Sequence, residues 1–291
     1  MIVDAHHHLW RIEDGYGWLD DPDLAPIRRT FTPDDLCREL TAVGVDRTVL
    51  VEGGRCDPAE AAILLRYARD TGPIAAVVAW ADPTDPGLAD ILAGYRELPG
   101  GERLVGIRPQ VQGEPDPNYL DRPEVRAGLR TVAAAGLAFD LVIRADQLPG
   151  AARAAEAVPE LRFVLDHLGK PRISAGTAGH ADWADPLGTL AARPNVTAKL
   201  SGLVTEADWT RWTVDDLRPF VATAVERFGP DRLMFGSDWP VCLLAAGYGT
   251  VRDALVEALP PLSAGERDDV FGGTAVRVYR LAGSTGLTAG S

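Results

Sequence analysis

Residues 2–8 read Ile-Val-Asp-Ala-His-His-His, and this stretch decides between two fold classes. A short apolar run at the start of the chain predicts a buried first β-strand. An open doubly wound sheet would follow that strand with a glycine-rich phosphate-binding turn. Here the strand ends in three histidines instead, which favours a closed barrel of alternating strands and helices.

Seven more apolar runs follow, each separated from the next by a segment with helical periodicity. The runs are rich in β-branched residues or leucine, as expected of parallel strands buried on both faces. The eight predicted strands cover residues 2–6, 48–52, 74–80, 104–109, 137–143, 162–166, 196–200 and 233–236. This alternation predicts an α/β protein with one (β/α)8 TIM barrel over residues 1–284 and a frayed tail at 285–291.

Capping residues mark the ends of several predicted helices. Thr32 and Pro33 form an N-cap and first-turn pair, and Gly136 follows the fourth helix as a C-cap. The predicted helices cover residues 33–43, 58–70, 86–98, 122–135, 147–158, 182–192, 214–228 and 251–259, with one or two more within 264–281.

Composition and charge exclude several classes of protein. With 29 basic and 42 acidic residues, the chain has a net charge of −13, which argues against nucleic acid or anionic membrane partners. The longest apolar run, 74–81, is far shorter than the ~20 residues of a membrane helix. Three separated cysteines and the lack of a visible signal peptide predict a cytoplasmic protein with reduced thiols.

Chemically capable side chains cluster at the ends of the predicted strands, where TIM barrels form their active sites. His6 and His8 are two residues apart, so they point to one side of the first strand and can chelate one divalent ion. His167 follows the sixth strand and Asp238 follows the eighth. A carboxylate at this position can bind a metal, deprotonate water, or both. We expect these four residues to share one site.

Two cations and several aromatic residues flank these motifs. Arg108 ends the fourth strand and Lys199 lies in the seventh. An unpaired buried cation is costly, so each either pairs with a carboxylate or contacts an anionic or carbonyl-bearing substrate. The aromatic residues Trp10, Tyr16, Trp18 and Trp239 either pack in the core or form stacking walls for a substrate ring.

Taken together, these motifs resemble a known family. Residues 4–10 (DAHHHLW), 166–171 (DHLGKP), 199–202 (KLSG) and 235–240 (FGSDWP) are similar to the lactonase-type branch of the amidohydrolase superfamily. Shorter matches extend the resemblance over about residues 2–282. It implies a distorted TIM barrel that opens a lactone. Known members act on aldonolactones such as fucono- and rhamnonolactones, or on pyrone and muconolactone-type lactones.

The resemblance also implies roles for individual residues. His6 and His8 would be the metal-binding pair, with His167 as a further ligand or a catalytic group and Asp238 as general base. One divalent ion, zinc or manganese, is implied for some members only, so the metal requirement stays open. No organic cofactor is implied. A small-molecule lactone is the expected partner, and a homo-oligomer is left open.

Some positions depart from the pattern of the family. The wider superfamily carries a metal-bridging lysine on strand four and a histidine on strand five. This chain has Arg108 on strand four and the sequence FDLVIR (139–144), without histidine, on strand five, so we expect no bridged two-metal centre. Relatives often have glutamine in place of Glu52 and histidine in place of Pro109, so the identity of the lactone stays open. A metal-dependent decarboxylase of an aromatic or unsaturated acid and a non-catalytic sugar-acid-binding barrel are the alternatives.

The predicted mechanism is hydrolysis of a sugar-acid lactone by an activated water. Asp238 accepts the proton of the water, and His6 and His8 position it, with or without a divalent ion. The ion, His167 or Lys199 polarises the lactone carbonyl. Arg108 is predicted to hold a hydroxyl or carboxylate of the substrate.

Overall fold

All eight predicted strands are present, and they run parallel. The computed structural model describes residues 1–281. The strands are β1 (Val3–His7), β2 (Arg47–Val51), β3 (Ile74–Ala79), β4 (Leu104–Ile107), β5 (Ala138–Leu141), β6 (Arg162–Leu165), β7 (Val196–Leu200) and β8 (Leu233–Phe235). Neighbours in the sheet are also neighbours in the chain, from β1 through to β8.

Backbone hydrogen bonds just beyond β8 close the sheet into a barrel. The amide of Asp238 donates to the carbonyl of His6 at 2.8 Å, and the amide of His8 donates to the carbonyl of Trp239 at 2.7 Å. The predicted TIM barrel is therefore confirmed. These bonds also hold His6, His8 and Asp238 side by side, because the residues that close the barrel carry the predicted site side chains.

A helix follows each strand of the barrel. The helices of the described residues are α1 (Pro33–Val43), α2 (Ala59–Asp70), α3 (Leu88–Glu97), α4 (Pro123–Ala134), α5 (Leu148–Ala157), α6 (Gly176–Ala191), α7 (Val214–Phe228), α8 (Tyr248–Ala258), α9 (Ala264–Asp268) and α10 (Thr274–Tyr279). Thr32 caps α1 as predicted, in a reciprocal capping box with Asp35.

Helix α6 begins at Gly176, although the sequence pattern predicts a start at residue 182. The extra residues are mostly glycine, alanine and threonine, which are weak or neutral signals for a helix start. Packing provides the missing reason. A Cβ atom at Gly179 would lie 2.0 Å from the carbonyl oxygen of Arg172, so only glycine allows this turn to pack there.

An irregularity in β1 determines the directions in which the side chains of Asp4 and His6 point. The register between β1 and β2 shifts between Asp4 and His7. Strict alternation would place Asp4 on the same face as His6. Instead, the Asp4 carboxylate accepts hydrogen bonds from Ser237 Oγ at 2.6 Å and Tyr248 of α8 at 2.7 Å. The local irregularity thus directs Asp4 towards a helix and His6 towards the barrel interior.

Small apolar side chains fill the lower part of the barrel interior. Alternate residues of the strands, including Val3, Ala76 and Ala138, form one buried cluster with Ala275 and Tyr279 of α10. The segment before α10 also contacts the first residue of the chain, since a Cβ atom at Gly272 would lie 2.4 Å from the carbonyl oxygen of Met1. Helix α10 therefore covers the amino-terminal end of the barrel, opposite the predicted site.

Helices α9 and α10 are the one or two helices predicted after residue 264. The predicted frayed tail, residues 285–291, lies outside the described residues. No helix in the described part of the chain combines the length and the apolar character that a bilayer span needs.

Candidate active site

A cavity of about 320 Å³ opens at the carboxyl end of the barrel. Its walls come mainly from segments that directly follow β1, β2, β4, β5, β6, β7 and β8. The lining residues are His8, Trp18, Gly53, Gly54, Arg108, Gln110, Gln112, Val142, His167, Lys170, Thr205, Glu206, Asp238 and Val241. This is the end of the fold at which TIM barrels carry out chemistry.

The floor of the cavity brings together the four residues that the sequence predicted to share a site. The Nε2 atoms of His6 and His8 lie 3.1 Å apart. Asp238 Oδ1 lies 3.7 Å from His6 Nε2, 3.5 Å from His8 Nε2 and 3.9 Å from His167 Nε2. All four side chains are buried. His8, His167 and Asp238 line the cavity itself, and His6 lies directly behind them with its Nε2 towards His8 and Asp238.

The donor atoms of His6, His8 and Asp238 fit a tetrahedral divalent ion. Ligand atoms about 2.0–2.2 Å from such an ion are separated from one another by about 3.3–3.6 Å. The observed separations of 3.1, 3.5 and 3.7 Å lie close to that range. His8 Nδ1 is 3.0 Å from the carbonyl oxygen of Val51, so donation there leaves its Nε2 lone pair facing the cavity.

Burial sets the protonation states of the site. It lowers the pKa of His6 well below its usual value and lowers the pKa of His167 to about 4, against the attraction of Asp238. Burial alone would raise the pKa of Asp238, but the electrostatic attraction of His167, His8 and Lys170 outweighs it and lowers that pKa. Near neutral pH the site therefore presents neutral His6 and His167 beside an ionised carboxylate.

The backbone around His167 has an unusual conformation. His167, Leu168, Gly169 and Lys170 have φ values of 52°, 52°, 73° and 53°, all in the left-handed region. Gly202 follows the neighbouring strand, β7. A Cβ atom at this position would lie 2.5 Å from His167 Nδ1, so the close approach of the ring requires glycine there. On the same segment, Ser201 Oγ lies 2.9 Å from His167 Nδ1 and orients the ring.

Arg108 lines the cavity, but its guanidinium is already paired. Nε donates to Glu52 Oε1 at 2.6 Å, and the two terminal nitrogens donate to Asp166 Oδ2 at 3.1 Å and to the Glu52 carbonyl at 2.7 Å. One of these nitrogens also lies 3.3 Å from His6 Nε2. The structure therefore favours pairing, the first of the two sequence interpretations of Arg108.

Lys199 does not contact the cavity, which corrects its predicted role in binding substrate or polarising the carbonyl. Its side chain has 0% exposure. The ammonium lies 2.6 Å from Asp140 Oδ2, 2.8 Å from Asp166 Oδ1 and 3.1 Å from His6 Nδ1. Because two carboxylates and an imidazole enclose it, Lys199 supports the floor of the site from below.

Three aromatic residues predicted to bind substrate are buried in the core instead. Trp10 is 1%, Tyr16 3% and Trp239 1% exposed, and none lines the cavity. The Trp10 and Trp239 rings pack edge-on against Phe31 with centroid distances of 5.4 and 5.2 Å. Trp18, the fourth aromatic residue considered for a stacking wall, does line the cavity, and its indole N–H donates to the carbonyl of Gly53 at 2.8 Å.

Most of the polar rim of the cavity was not predicted from the sequence. The rim is lined by Gln110, Gln112, Lys170, Thr205 and Glu206, and none of them was predicted to be a site residue. They lie on loops after β4, β6 and β7, and of the five only Lys170 belongs to a quoted motif, DHLGKP (166–171). Composition was a second signal for Lys170, because it is one of only two lysines among 29 basic residues.

Comparison with known proteins assigns the chain to a family. The model of the amidohydrolase family matches residues 3–281. The chain therefore belongs to the amidohydrolase family, and the resemblance of its motifs to that superfamily is confirmed.

Particular relatives place the chain near one branch of this family. An L-fucono-1,5-lactonase from Burkholderia multivorans is 39% identical over 292 residues, covering 97% of this chain and 96% of that protein. An L-fucono-1,5-lactonase from Burkholderia ambifaria is 35% identical, covering 96% of this chain and 95% of that protein. A crystal structure of an amidohydrolase from Burkholderia multivorans with bound zinc has a TM-score of 0.90 at 36% identity, covering 97% of this chain and 100% of that one.

Proposed function

We propose that this chain hydrolyses a sugar lactone of the aldono-1,5-lactone type, with Asp238 as the general base. The observation that carries the proposal is the Asp238 carboxylate, which lies within 3.9 Å of three histidine nitrogens on the floor of an open cavity. The two L-fucono-1,5-lactonases that match nearly the whole chain support the substrate class.

The reaction needs a base, a positioned water and a polarised carbonyl. Asp238 takes a proton from the water as its oxygen bonds to the lactone carbonyl carbon. The bond from that carbon to the ring oxygen then breaks, and the protonated Asp238 returns the proton to the leaving oxygen. The product is an open-chain hydroxy acid. The low pKa of Asp238 keeps the base ionised at neutral pH before each turnover.

His167 is placed to act on the carbonyl oxygen. Its Nε2 faces the same space as Asp238 Oδ1, and its Nδ1 lies 2.9 Å from Ser201 Oγ. If Nδ1 accepts the hydroxyl proton of Ser201, Nε2 carries the ring proton and can donate it to the carbonyl oxygen as negative charge develops there. Removing one donor of this kind typically costs 10²–10³-fold in rate, on the order of 3–4 kcal/mol.

One divalent ion would be held by His6, His8 and Asp238. His167 lies beside these three residues, with its Nε2 3.9 Å from Asp238 Oδ1. When bound, such an ion polarises a carbonyl and lowers the pKa of a water to around 7. Asp166 and Lys199 hold the ring of His6 from behind, since both lie against its Nδ1 at 3.3 and 3.1 Å. Arg108 fixes Asp166 and Glu52 in turn, so it positions the site through its neighbours.

A lactone panel tests the proposal. Purified protein is offered hydroxylated 1,5- and 1,4-lactones, a pyrone and aromatic carboxylic acids, and acid release and carbon dioxide are measured together. We expect acid release from hydroxylated lactones without carbon dioxide. Carbon dioxide release from an aromatic acid would favour the decarboxylase, and lactone binding without any turnover would favour the binding barrel.

The metal is tested separately from the reaction. Zinc content after dialysis against zinc should be one ion per chain for the unaltered protein and far less for His8→Asn. Repeating the lactone assay after chelation then shows whether turnover depends on that ion. Equal zinc content in both proteins would contradict the proposed ligand set.

A further inference from the structure

Lys170 and Glu206 form a charged pair in the wall of the catalytic cavity. The Lys170 ammonium lies 3.6 Å from Glu206 Oε1, and the side chains are 28% and 23% exposed. Both residues also line an outer cleft of about 760 Å³ next to the cavity. The pair therefore stands where a substrate passes from the cleft to the catalytic groups.

The separation of this pair is too long for a direct hydrogen bond. N–H···O hydrogen bonds have donor–acceptor distances of about 2.7–3.2 Å. The nearby Arg172–Asp182 pair in the outer cleft has closed to 2.5 Å. The charged ends of Lys170 and Glu206 are instead 3.6 Å apart, and both residues line the cavity. A hydroxyl group can accept from an ammonium and donate to a carboxylate at the same time, so its chemistry matches this gap.

The backbone that carries Lys170 is strained in a way that serves the cavity. Lys170 has a φ of 53° and its amide donates to the carbonyl of His167 at 2.9 Å. Non-glycine residues in this region cost free energy, and such strain is concentrated at functional sites. The turn brings His167 and, three residues later, the Lys170 ammonium onto one cavity.

Charge in the cavity wall limits what the pair can accept. The cations that line the cavity are Arg108 and Lys170, and Arg108 is already bonded to Glu52 and Asp166. Lys170 already faces the carboxylate of Glu206. Among residues 1–281, a substrate carboxylate would therefore meet no unpaired cation in the cavity wall, and it would approach the carboxylates of Glu206 and Asp238. A neutral hydroxyl meets neither penalty.

We propose that Lys170 and Glu206 together bind a ring hydroxyl of the lactone and so select neutral, hydroxylated lactones over lactones that carry a carboxylate. This inference rests on the proposed function and deepens it, because it names the substituent of the lactone that the cavity recognises. The ammonium of Lys170 donates to the hydroxyl oxygen, and the hydroxyl donates to the carboxylate of Glu206. Neither residue takes part in bond breaking.

The test compares three lactones with the same six-membered ring: one with ring hydroxyls, δ-valerolactone without them, and one with a carboxylate substituent. Glu206→Gln and Lys170→Met are assayed beside Asp182→Asn, a control whose carboxylate is 63% exposed in the outer cleft. We expect each cavity variant to raise KM for the hydroxylated lactone by about 10–100-fold, as for the loss of a hydrogen bond to a charged group. Values of kcat/KM for δ-valerolactone should change less than about 3-fold, and Glu206→Gln should gain activity on the carboxylate-bearing lactone.

Other outcomes separate this inference from the proposed function. Equal losses on the hydroxylated lactone and on δ-valerolactone, in variants that melt at the temperature of the unaltered protein, would overturn the inference alone. Unchanged kinetics in both cavity variants would overturn it as well. If the unaltered protein opens no lactone at all, the proposed function itself fails, and the selectivity inferred for Lys170 and Glu206 fails with it.

Discussion

Replacing Lys199 with methionine probes the charged layer below the catalytic cavity. Lys199 Nζ lies 2.6 Å from Asp140 Oδ2 and 2.8 Å from Asp166 Oδ1, and all three side chains have 0% exposure. Methionine keeps most of the volume of the side chain but removes the charge. Two buried carboxylates would then face each other without the cation between them.

The expected loss of stability follows from this geometry. Removing one partner of a buried ion pair costs roughly 3–5 kcal/mol, because the remaining charge is left uncompensated. At about 2–4 °C of melting temperature per kcal/mol, Lys199→Met should lower Tm by roughly 6–20 °C. Lys170→Met is the matched control, since the other lysine is partly exposed and its pair is 3.6 Å long. It should lose less than about 1 kcal/mol.

The loss should also depend on pH. Burial raises the pKa of Asp140 to about 6, although Lys199 opposes that rise. A carboxyl group whose pKa is higher in the folded state than in the unfolded state destabilises the fold as pH rises through that window. Without Lys199 the pKa of Asp140 rises further, so the variant should lose more stability at pH 8 than at pH 5.

Urea unfolding of the two lysine variants at both pH values measures these differences directly. A loss of under about 1 kcal/mol in Lys199→Met at pH 8 would refute the assigned role of the ammonium. So would equal losses in the two lysine variants.

Three further predictions follow from the same structure. Ser201→Ala removes the hydroxyl 2.9 Å from His167 Nδ1, and Gly202→Ala places a Cβ atom 2.5 Å from that nitrogen. Both should lower kcat/KM by about 10–100-fold, and a change under about 2-fold in either would be inconsistent with a fixed ring. Tyr279→Phe removes a 2.6 Å hydrogen bond to Asp140 and should cost about 1.5–3 kcal/mol in urea unfolding while leaving kcat unchanged. The pH profile of kcat/KM should fall as pH decreases towards about 4, because protonated His167 can no longer accept from Ser201 and its charge pairs with Asp238 and weakens that base. A midpoint near the ordinary pKa of histidine would contradict a buried neutral ring.

The barrel and the floor of its site were predictable because both follow from short-range rules. Continuous apolar runs identify buried parallel strands, and the fold then places every strand end on one rim. These rules predict that four residues up to 232 positions apart lie together: His6, His8, His167 and Asp238. The structure confirms that they meet.

Some partners of the buried charges were harder to predict because they lie two strands away in the sheet. Lys199 of β7 reaches Asp140 of β5, and Arg108, which follows β4, reaches Glu52, which follows β2. The sequence indicated that each cation needs a partner or a substrate, but not which. A signal was present in Asp140, a carboxylate inside an apolar strand, since such a residue needs a cation nearby.

The substrate-facing rim was not predictable from the sequence pattern. Glu206 and Gln112 lie on loops after strands, and no periodic pattern or spaced motif marks such positions. The aromatic residues led to the opposite error. Trp10 and Trp239 are next to catalytic motifs in the sequence, but their rings pack on Phe31 in the core.

The central claim is that Asp238 removes a proton from water in a lactone-hydrolysing site. The most direct test is kcat/KM of Asp238→Asn on a hydroxylated 1,5-lactone, beside Asp215→Asn, whose side chain is 86% exposed on α7. The account predicts a fall of about 10²–10⁴-fold in the first variant and no change in the second. Activity of Asp238→Asn within about 3-fold of the unaltered protein would contradict it.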